Sequence, residues 1–459
     1  MVASMLDSPG LARARLVRAI VALVAWGFFL GNMVAIVWIW LAFNLDFSFA
    51  PDFTAALLSR LGGLTGLLGA YLALVQVLLL ARLPFLGRLV GFDRLTVWHR
   101  WNGFACLLLV VAHTVLAVLG RAIDDHVSFF REFWALLADN TQVGMVTATV
   151  GLSLFVIVSV SSVTIARRKL SYELWYAVHI SAYAAIALAW FHEIPTGGDI
   201  NPAFHPGVTS YWRILFFGTL ALLVFRVLSP LVNVLRFGLR VEEVIAEGPT
   251  VTSIRMTGRH LDRLGARPGQ FFLWRFVTRG YWWTAHPFSL SAAPDGRSLR
   301  ISVKAAGDHT SRMGSIPVGT RVVAEGPFGC FTEAARQQAK TLLVAGGIGI
   351  TPIRALAETM DGDLVVIHRV LTDADIVFRA ELEQLAARRD LVVHYIVGDH
   401  RDEESRNLLS TEHLRELVPD IAERDVYLCG PPAMVRWMLT NIRRAGVSRR
   451  RLNVEQFAL

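Results

Sequence analysis

Up to about residue 236 the chain carries six apolar segments, near 15–43, 60–82, 97–120, 143–166, 173–193 and 211–236. Each is long enough to cross a hydrocarbon layer as a helix, which needs about 20 residues. Inside that layer every backbone amide must find its partner within the protein, so a six-helix bundle is the expected architecture. Basic residues orient it. Arg13, Arg15 and Arg18, then Arg82, Arg88, Arg94 and Arg100, then Arg167, Arg168 and Lys169, then Arg236 and Arg240 mark one side. The opposite stretches 44–56 and 194–210 hold no Lys or Arg, and 121–140 holds two arginines against four acids. Both termini are therefore expected in the cytoplasm. The first segment has no A-x-A cleavage site and reads as a retained span.

At 54% hydrophobic and 18% charged, the chain is too apolar for an ordinary soluble protein and too charged for a bare bundle. A water-soluble part must follow the spans. The formal charge of +8 sits beside apolar runs, as in "RARLVR" and "ARRKL", which fits membrane topology and argues against a nucleic-acid partner. Cys106, Cys330 and Cys429 form no C-x-x-C pair, so thiolate-bound zinc and iron–sulfur clusters are not expected.

Character changes at Arg240. Short alternating runs, "TSIRMTG", "FFLWRF" and "RISVKAAG", are separated by Gly and Pro and predict an antiparallel barrel to about residue 338. Beyond it, "TLLVAGGIGITPIRALAETM", "DLVVIHRV", "DLVVHYIVG" and "DVYLCGPPAMVRWMLTNIRRAG" alternate β-rich runs with amphipathic helices, the pattern of a parallel α/β sheet. The expected divisions are 1–236, 237–338 and 339–459.

The third span holds His99 and His113, the fifth His179 and His192. With both termini inside, these spans run parallel, so His99 and His179 share the inner depth and His113 and His192 the outer. Two helices thus offer one imidazole pair at each level, the ligand set of two stacked b-type haems. His99 and His113 are 14 residues apart, about 21 Å and nearly whole turns, so they share a face. His179 and His192 are 13 apart, which on an ideal rod leaves them about 140° out of register. A π-bulge, a bend, or unwinding before Pro195 would correct this. The other reading of each histidine is a packing residue bonded to a nearby carbonyl. Arg94, Arg100 and Arg167 stand where haem propionates would lie, and equally where topology anchors would.

In the second half, "HPFSL" (His286, Pro287, Phe288, Ser289, Leu290) follows a strand and precedes the turn "SAAPDG". Lys304 ends the next run. In "GDHTSRM", Gly307, Thr310 and Ser311 offer N–H and hydroxyl groups to a pyrophosphate at a helix start. In "VAGGIGITP", Gly346, Gly347 and Gly349 let backbone amides approach a phosphate, and a helix opens with Thr351 and Pro352. The spacing is not G-x-G-x-x-G. "YLCGPPAM" repeats the strand-to-turn pattern with Gly430 and Pro431, and puts Cys429 at a strand's C-terminal end, where open α/β sheets bind ligands. A small buried thiol is the alternative there.

These motifs, in this order, resemble the NADPH oxidases and ferric reductases. "HPFSL" is similar to that family's flavin motif HPF[ST], "GDHT" to GDWT, "GPFG" to GPYG, "GGIGITP" to its nucleotide loop and "CGPPAM" to CGPxxM. The ending "VEQFAL" resembles the one whose aromatic covers the flavin ring, which would be Phe457. His309 stands in place of the family's tryptophan, and two residues follow Phe457. The resemblance implies a six-helix haem-binding transmembrane bundle, then a ferredoxin-reductase-like β-barrel for FAD and an α/β domain for NAD(P)H. It implies an oxidoreductase carrying electrons from cytosolic NAD(P)H through FAD and two haems to an acceptor outside, with Cys429 and Phe457 near the hydride step.

NADPH is expected over NADH because Arg369 ends the strand after the glycine loop, where a 2′-phosphate would lie. Arg379 and Arg401 are further candidates, and ordinary surface arginines are the alternative. Two axial histidines leave iron no open position. Dioxygen reduced in the outer sphere to superoxide is the expected outcome, with a ferric or cupric chelate as the alternative acceptor. Asp124, Asp125 and His126 form the one cluster suggestive of a metal grip, and also read as a solvated face. A non-enzymatic haem-binding subunit or sensor is the competing class. A transporter would need a polar path, and Gln76 is the one obvious polar residue midway along the second span, where Gly62, Gly63, Gly66 and Gly69 read as close helix packing.

Overall fold

The computed structural model describes residues 9–47, 51–81, 92–139, 144–163, 172–196, 205–399 and 407–456, with a few isolated positions beside them. It divides into two compact units, one of Ile20–Leu83 and Asp93–Arg226, the other chiefly Val227–Leu459.

Among the described residues, six helical stretches are long and apolar enough to span a membrane. They are α1 (Pro9–Asn44), α2 (Phe53–Leu79), α3 (Phe92–Asp124), α5 (Met145–Ser162), the pair α6 (Tyr172–Ile180) and α7 (Ala182–Thr196), and α8 (Pro206–Phe237); the short α4 (Phe129–Ala138) lies between α3 and α5. Their flanks carry exposed apolar side chains, such as Leu23 at 75% and Trp38 at 71%, the surface a lipid-facing helix needs. α2 starts earlier than its hydropathy implied. Asp52 caps it, accepting from Ala55 N–H at 2.9 Å. Arg60 lies inside the helix, donates to the Asn44 carbonyl at 2.6 Å and stacks over Phe47.

Gly62, Gly66 and Gly69 of α2 pack closely on α3, whereas a Cβ at Gly63 would meet nothing within 4 Å, contrary to the expectation of close packing there. A Cβ at Gly62 would lie 2.9 Å from the Ala117 backbone nitrogen, and one at Gly69 2.8 Å from Val110. Side chains of any size would push the helices apart.

In the second unit, β1 (Arg240–Ala246), β2 (Val251–Thr257) and β5 (Ser298–Lys304) form one antiparallel sheet. β3 (Phe271–Phe276), β4 (His286–Ser289) and β6 (Val322–Phe328) form another, ordered β4-β3-β6. Two bridges, Arg240 to Arg321 and Leu290 to Ile301, join both edges and close the barrel. Its core is Ile254, Met256, Phe272, Trp274, Leu290 and Ile301, each fully buried. His286–Ser289 is itself a strand, not the approach to a turn. Its pairing with Phe271–Trp274 on β3 makes it so, and Pro287, which has no N–H to give, faces solvent.

A single turn, α9 (Asp308–Ser311), precedes β6. The rest is a five-stranded parallel sheet ordered β11-β10-β7-β8-β9, from β7 (Thr341–Gly346), β8 (Leu364–Val370), β9 (Leu391–Val397), β10 (Asp425–Gly430) and β11 (Leu452–Gln456). Leu343, Ala345, Tyr427 and Cys429 point to a core shared with α10 (Ile350–Thr359) and α11 (Arg379–Ala386). Leu342, Val344, Val426 and Leu428 point to the opposite core under α12 (Thr411–Leu417) and α13 (Pro432–Arg444). Burial on both faces explains the unbroken apolar runs in the sequence.

Barrel and sheet are joined by a buried ionic clamp. Arg300 on β5 meets Glu381 on α11 through two bonds of 2.8 and 2.9 Å, and Arg354 on α10 reaches the same carboxylate at 2.7 Å. Glu358 accepts from the Ala293 N–H at 2.7 Å and pairs with Arg354.

Candidate functional site

Within the bundle the four histidines meet as two pairs. The rings of His99 and His179 are 6.0 Å apart, those of His113 and His192 6.2 Å. The ideal-rod mismatch between His179 and His192 vanishes because the helix is not one rod. It breaks at Ser181, whose N–H closes a tight turn on Val178 O at 3.1 Å before α7 begins. Pro195 lies inside α7, so unwinding ahead of it is not the device.

Second bonds set the imidazoles. His113 Nδ1 lies 2.8 Å from the Gly62 carbonyl, His99 Nδ1 3.2 Å from the Gln76 carbonyl, and His179 Nδ1 3.2 Å from Ser162 Oγ. With Nδ1–H donating, the Nε2 lone pair is left to ligate. Gln76 grips His99 twice, since its side-chain amide also donates to the His99 carbonyl at 2.8 Å, and Asn102 donates to the Gln76 side-chain oxygen at 2.7 Å. Sequence reasoning passed over Gln76, Gly62 and Ser162 as supports; the intramembrane glutamine was the available signal.

The residues fit a haem. An imidazole nitrogen about 2.0–2.1 Å from a first-row metal puts the ring centre roughly 3 Å away, so two rings on opposite sides of one metal lie about 6 Å apart. A cavity of about 460 Å³ is lined by His113, His192, Gly63, Gly66, Arg60 and Arg121. Glu193, beside His192, also faces it and accepts from Trp212 Nε1 at 3.0 Å.

In the barrel, the His286 ring packs 4.4 Å from that of His309, and Thr284 Oγ1 lies 3.3 Å from one and 3.0 Å from the other. Burial, then the neighbouring His309, lowers the His286 pKa to about 4, so the His286 ring is neutral at ordinary pH. Trp274 Nε1 donates to the Phe288 carbonyl at 2.9 Å, holding half-buried Phe288 in place. The Ser289 hydroxyl is buried with no partner, an orphan that a flavin ring edge would satisfy. Thr310 turns inward: its hydroxyl accepts from Ala306 N–H at 2.9 Å and Gly307 N–H at 3.1 Å. Ser311 donates to Asp308 O at 3.2 Å, and Lys304 pairs with Asp375 at 3.6 Å.

The sheet collects the remaining residues at its C-terminal edge. Gly347 takes φ +52°, and its carbonyl lies 3.2 Å from His368 Nε2. A Cβ on Gly349 would strike the Cys429 carbonyl, and one on Gly430 would lie 3.2 Å from Gly346 Cα. α10 opens at Ile350, one residue before the expected start, with Thr351 donating to Ile348 O at 3.1 Å and Pro352 buried in the first turn. Pro431 caps α13. Cys429 is wholly buried at the loop, and burial raises its thiol pKa. Arg369 pairs in register with Gly346 but donates to the Val370 and Ile396 carbonyls. Arg379 pairs with Asp373 at 2.7 Å and lies over the Tyr395 ring. Phe457, Arg167 and Arg401 lie outside the described residues.

The family model described as "Ferric reductase like transmembrane component" matches residues 65–190, and "Oxidoreductase NAD-binding domain" matches 343–439. The chain has a ferric reductase/NADPH oxidase-like architecture. Its ferric-reductase-like match takes in His99, His113 and His179 and stops two residues short of His192. The chain is 29% identical over 36% of its length to the glycine betaine monooxygenase reductase subunit of Chromohalobacter salexigens, covering 49% of that protein. It is 28% identical over 37% of its length to a flavohemoprotein of Vibrio cholerae, covering 45%. The chain thus spans about half the length of the curated relatives it matches. The FAD/NAD-binding domain of a Vibrio cholerae nitric oxide dioxygenase covers 48% of this chain and 98% of its own, at 24% identity and TM-score 0.40. This ferric-reductase-like chain is a multi-pass membrane protein with an oxidoreductase NAD-binding domain.

Proposed function

We propose that the chain moves electrons from cytosolic NADPH, with NADH as the alternative donor, across the plasma membrane to dioxygen outside, giving superoxide. The reading divides it at 236 and 338 into haem, FAD and nucleotide domains, with both termini cytoplasmic. The observation that carries it is the pair of ring separations, 6.0 and 6.2 Å, each the distance two imidazoles would keep across one metal.

His99 and His179 would hold an inner haem b, His113 and His192 an outer one. Phe288 and Ser289 would hold the flavin ring, with Phe457 covering it. Gly346, Gly347 and Gly349 would admit the nucleotide phosphates, and Arg369 would face the 2′-phosphate with its remaining N–H groups. Bound there, FAD supplies the change from hydride to single electrons and haem iron one-electron cycling. With a histidine pair holding each haem, the acceptor would be reduced without binding the metal, as dioxygen can be. Ferric or cupric chelate is the alternative substrate for the same architecture.

Anaerobic NADPH titration of the purified protein tests the reading. Flavin bleaching followed by reduced low-spin haem bands is expected, and on admitting air, cytochrome c reduction sensitive to superoxide dismutase. Reduction of ferric chelate with no superoxide would replace dioxygen as acceptor. A pigment that NADPH leaves unchanged would make the chain a haem-binding sensor.

A further inference from the structure

Helix α8, the last membrane-capable stretch, ends at Phe237, and the barrel begins three residues later at Arg240. Only Gly238 and Leu239 separate that end of the barrel from the helix. Arg240 bridges to Arg321, and Val277 N–H donates to Arg321 O at 2.8 Å. Residues 239–241, 319–322 and 276–277 thus lie side by side, and two loops leave the barrel from this level. One is the hairpin loop between β3 and β4, which carries Trp282 and Trp283. The other is the turn before β6, which carries Val318.

Between residues 240 and 340 the exposed large apolar side chains are Val277 (50%), Trp282 (62%), Trp283 (50%) and Val318 (67%). All four are on this rim. Exposed arginines surround them: Arg236, Arg240, Arg279 and Arg321. Arg240 also donates to the Gly319 carbonyl at 2.9 Å, next to Val318. Two indoles among arginines, at the end of a span, match the chemistry of the headgroup layer, where aromatic rings sit between apolar and wet surroundings. Cationic guanidinium groups complement anionic lipid.

We propose that this rim is an interfacial foot: Trp282 and Trp283 enter the headgroup layer of an anionic lipid surface and hold the barrel at a fixed height. The loop is ordered for this role by Tyr281, which is buried and donates to the His309 carbonyl at 3.2 Å, leaving the two indoles to face outward. The foot does not depend on haem occupancy or on the acceptor.

The test uses the full chain, loaded with flavin, in vesicles of phosphatidylcholine and phosphatidylglycerol with or without shallow-brominated acyl chains. The emission lost in Trp282→Phe/Trp283→Phe, relative to the unaltered protein, isolates the two indoles; single variants W282F and W283F serve if the double variant loses flavin. Emission quenched at least twofold by brominated lipid, and shielded from aqueous acrylamide, is the expected result. Quenching by acrylamide with no effect of bromine would overturn the proposal. So would shielding that appears only on adding flavin, which would make the indoles a cofactor cover, or only at raised protein density, which would make them a contact with a second copy.

Discussion

His113 Nδ1 lies 2.8 Å from the Gly62 carbonyl, a bond that spans α3 and α2 and leaves Nε2 free to face His192. The helix contact and the ligand geometry are therefore one arrangement. Four residues on, Gly66 faces the same ring, and a Cβ there would lie 2.6 Å from His113 Nδ1.

Gly66→Ala is expected to turn the His113 imidazole away from its partner. Haem content should fall by about half while flavin content stays constant. The check is the haem-to-flavin absorbance ratio of the purified variant.

Ser289→Ala removes a buried hydroxyl that has no partner within the protein. The flavin-free protein should melt no lower than wild type, because no bond is lost. Flavin affinity should drop about tenfold, near the 1.4 kcal/mol of one hydrogen bond. Thermal shift with and without FAD separates the two effects.

His368 is buried under the glycine loop, and burial lowers its pKa to about 4. The folded state favours the neutral ring, so the unfolded chain takes up the proton first as pH falls below about 6.5. Stability from this group is full above that pH and is lost progressively down to about 4, amounting to about 3 kcal/mol. His368→Gln keeps a donor for the Gly347 carbonyl and cannot titrate. Its unfolding midpoint should change less than wild type between pH 7.5 and 5.

Glu381→Gln leaves Arg300 and Arg354 buried with one counter-charge too few. The loss should be about 3 kcal/mol, the scale for breaking a buried ion pair from one side. Burial raises the Glu381 pKa, but bonding by Arg300 and Arg354 outweighs it and holds the group ionised. Flavin reduction by NADPH should slow because the clamp sets the barrel against the sheet. Stopped-flow absorbance would read this directly.

The spans, the parallel sheet and the histidine pairs were legible because hydropathy runs, β–α alternation and imidazole depth are properties of short stretches. What escaped needed partners far away in sequence. Strand β4 reads as a loop until Phe271 and Phe272 are seen opposite Ser289 and Phe288. Barrel closure rests on Arg240 meeting Arg321, a pairing no local pattern encodes. The break at Ser181 carries no Gly or Pro to announce it. Gly307 and Thr310 looked like pyrophosphate donors, yet they satisfy each other, because a loop this tight caps itself first.

Haem stoichiometry tests the central claim most directly. Pyridine haemochrome analysis should give two haems per chain in the unaltered protein. Leucine at His99 or His179 should abolish the inner one, and leucine at His113 or His192 the outer one. Two haems retained in any of these four variants, with an unchanged low-spin spectrum, would contradict the account.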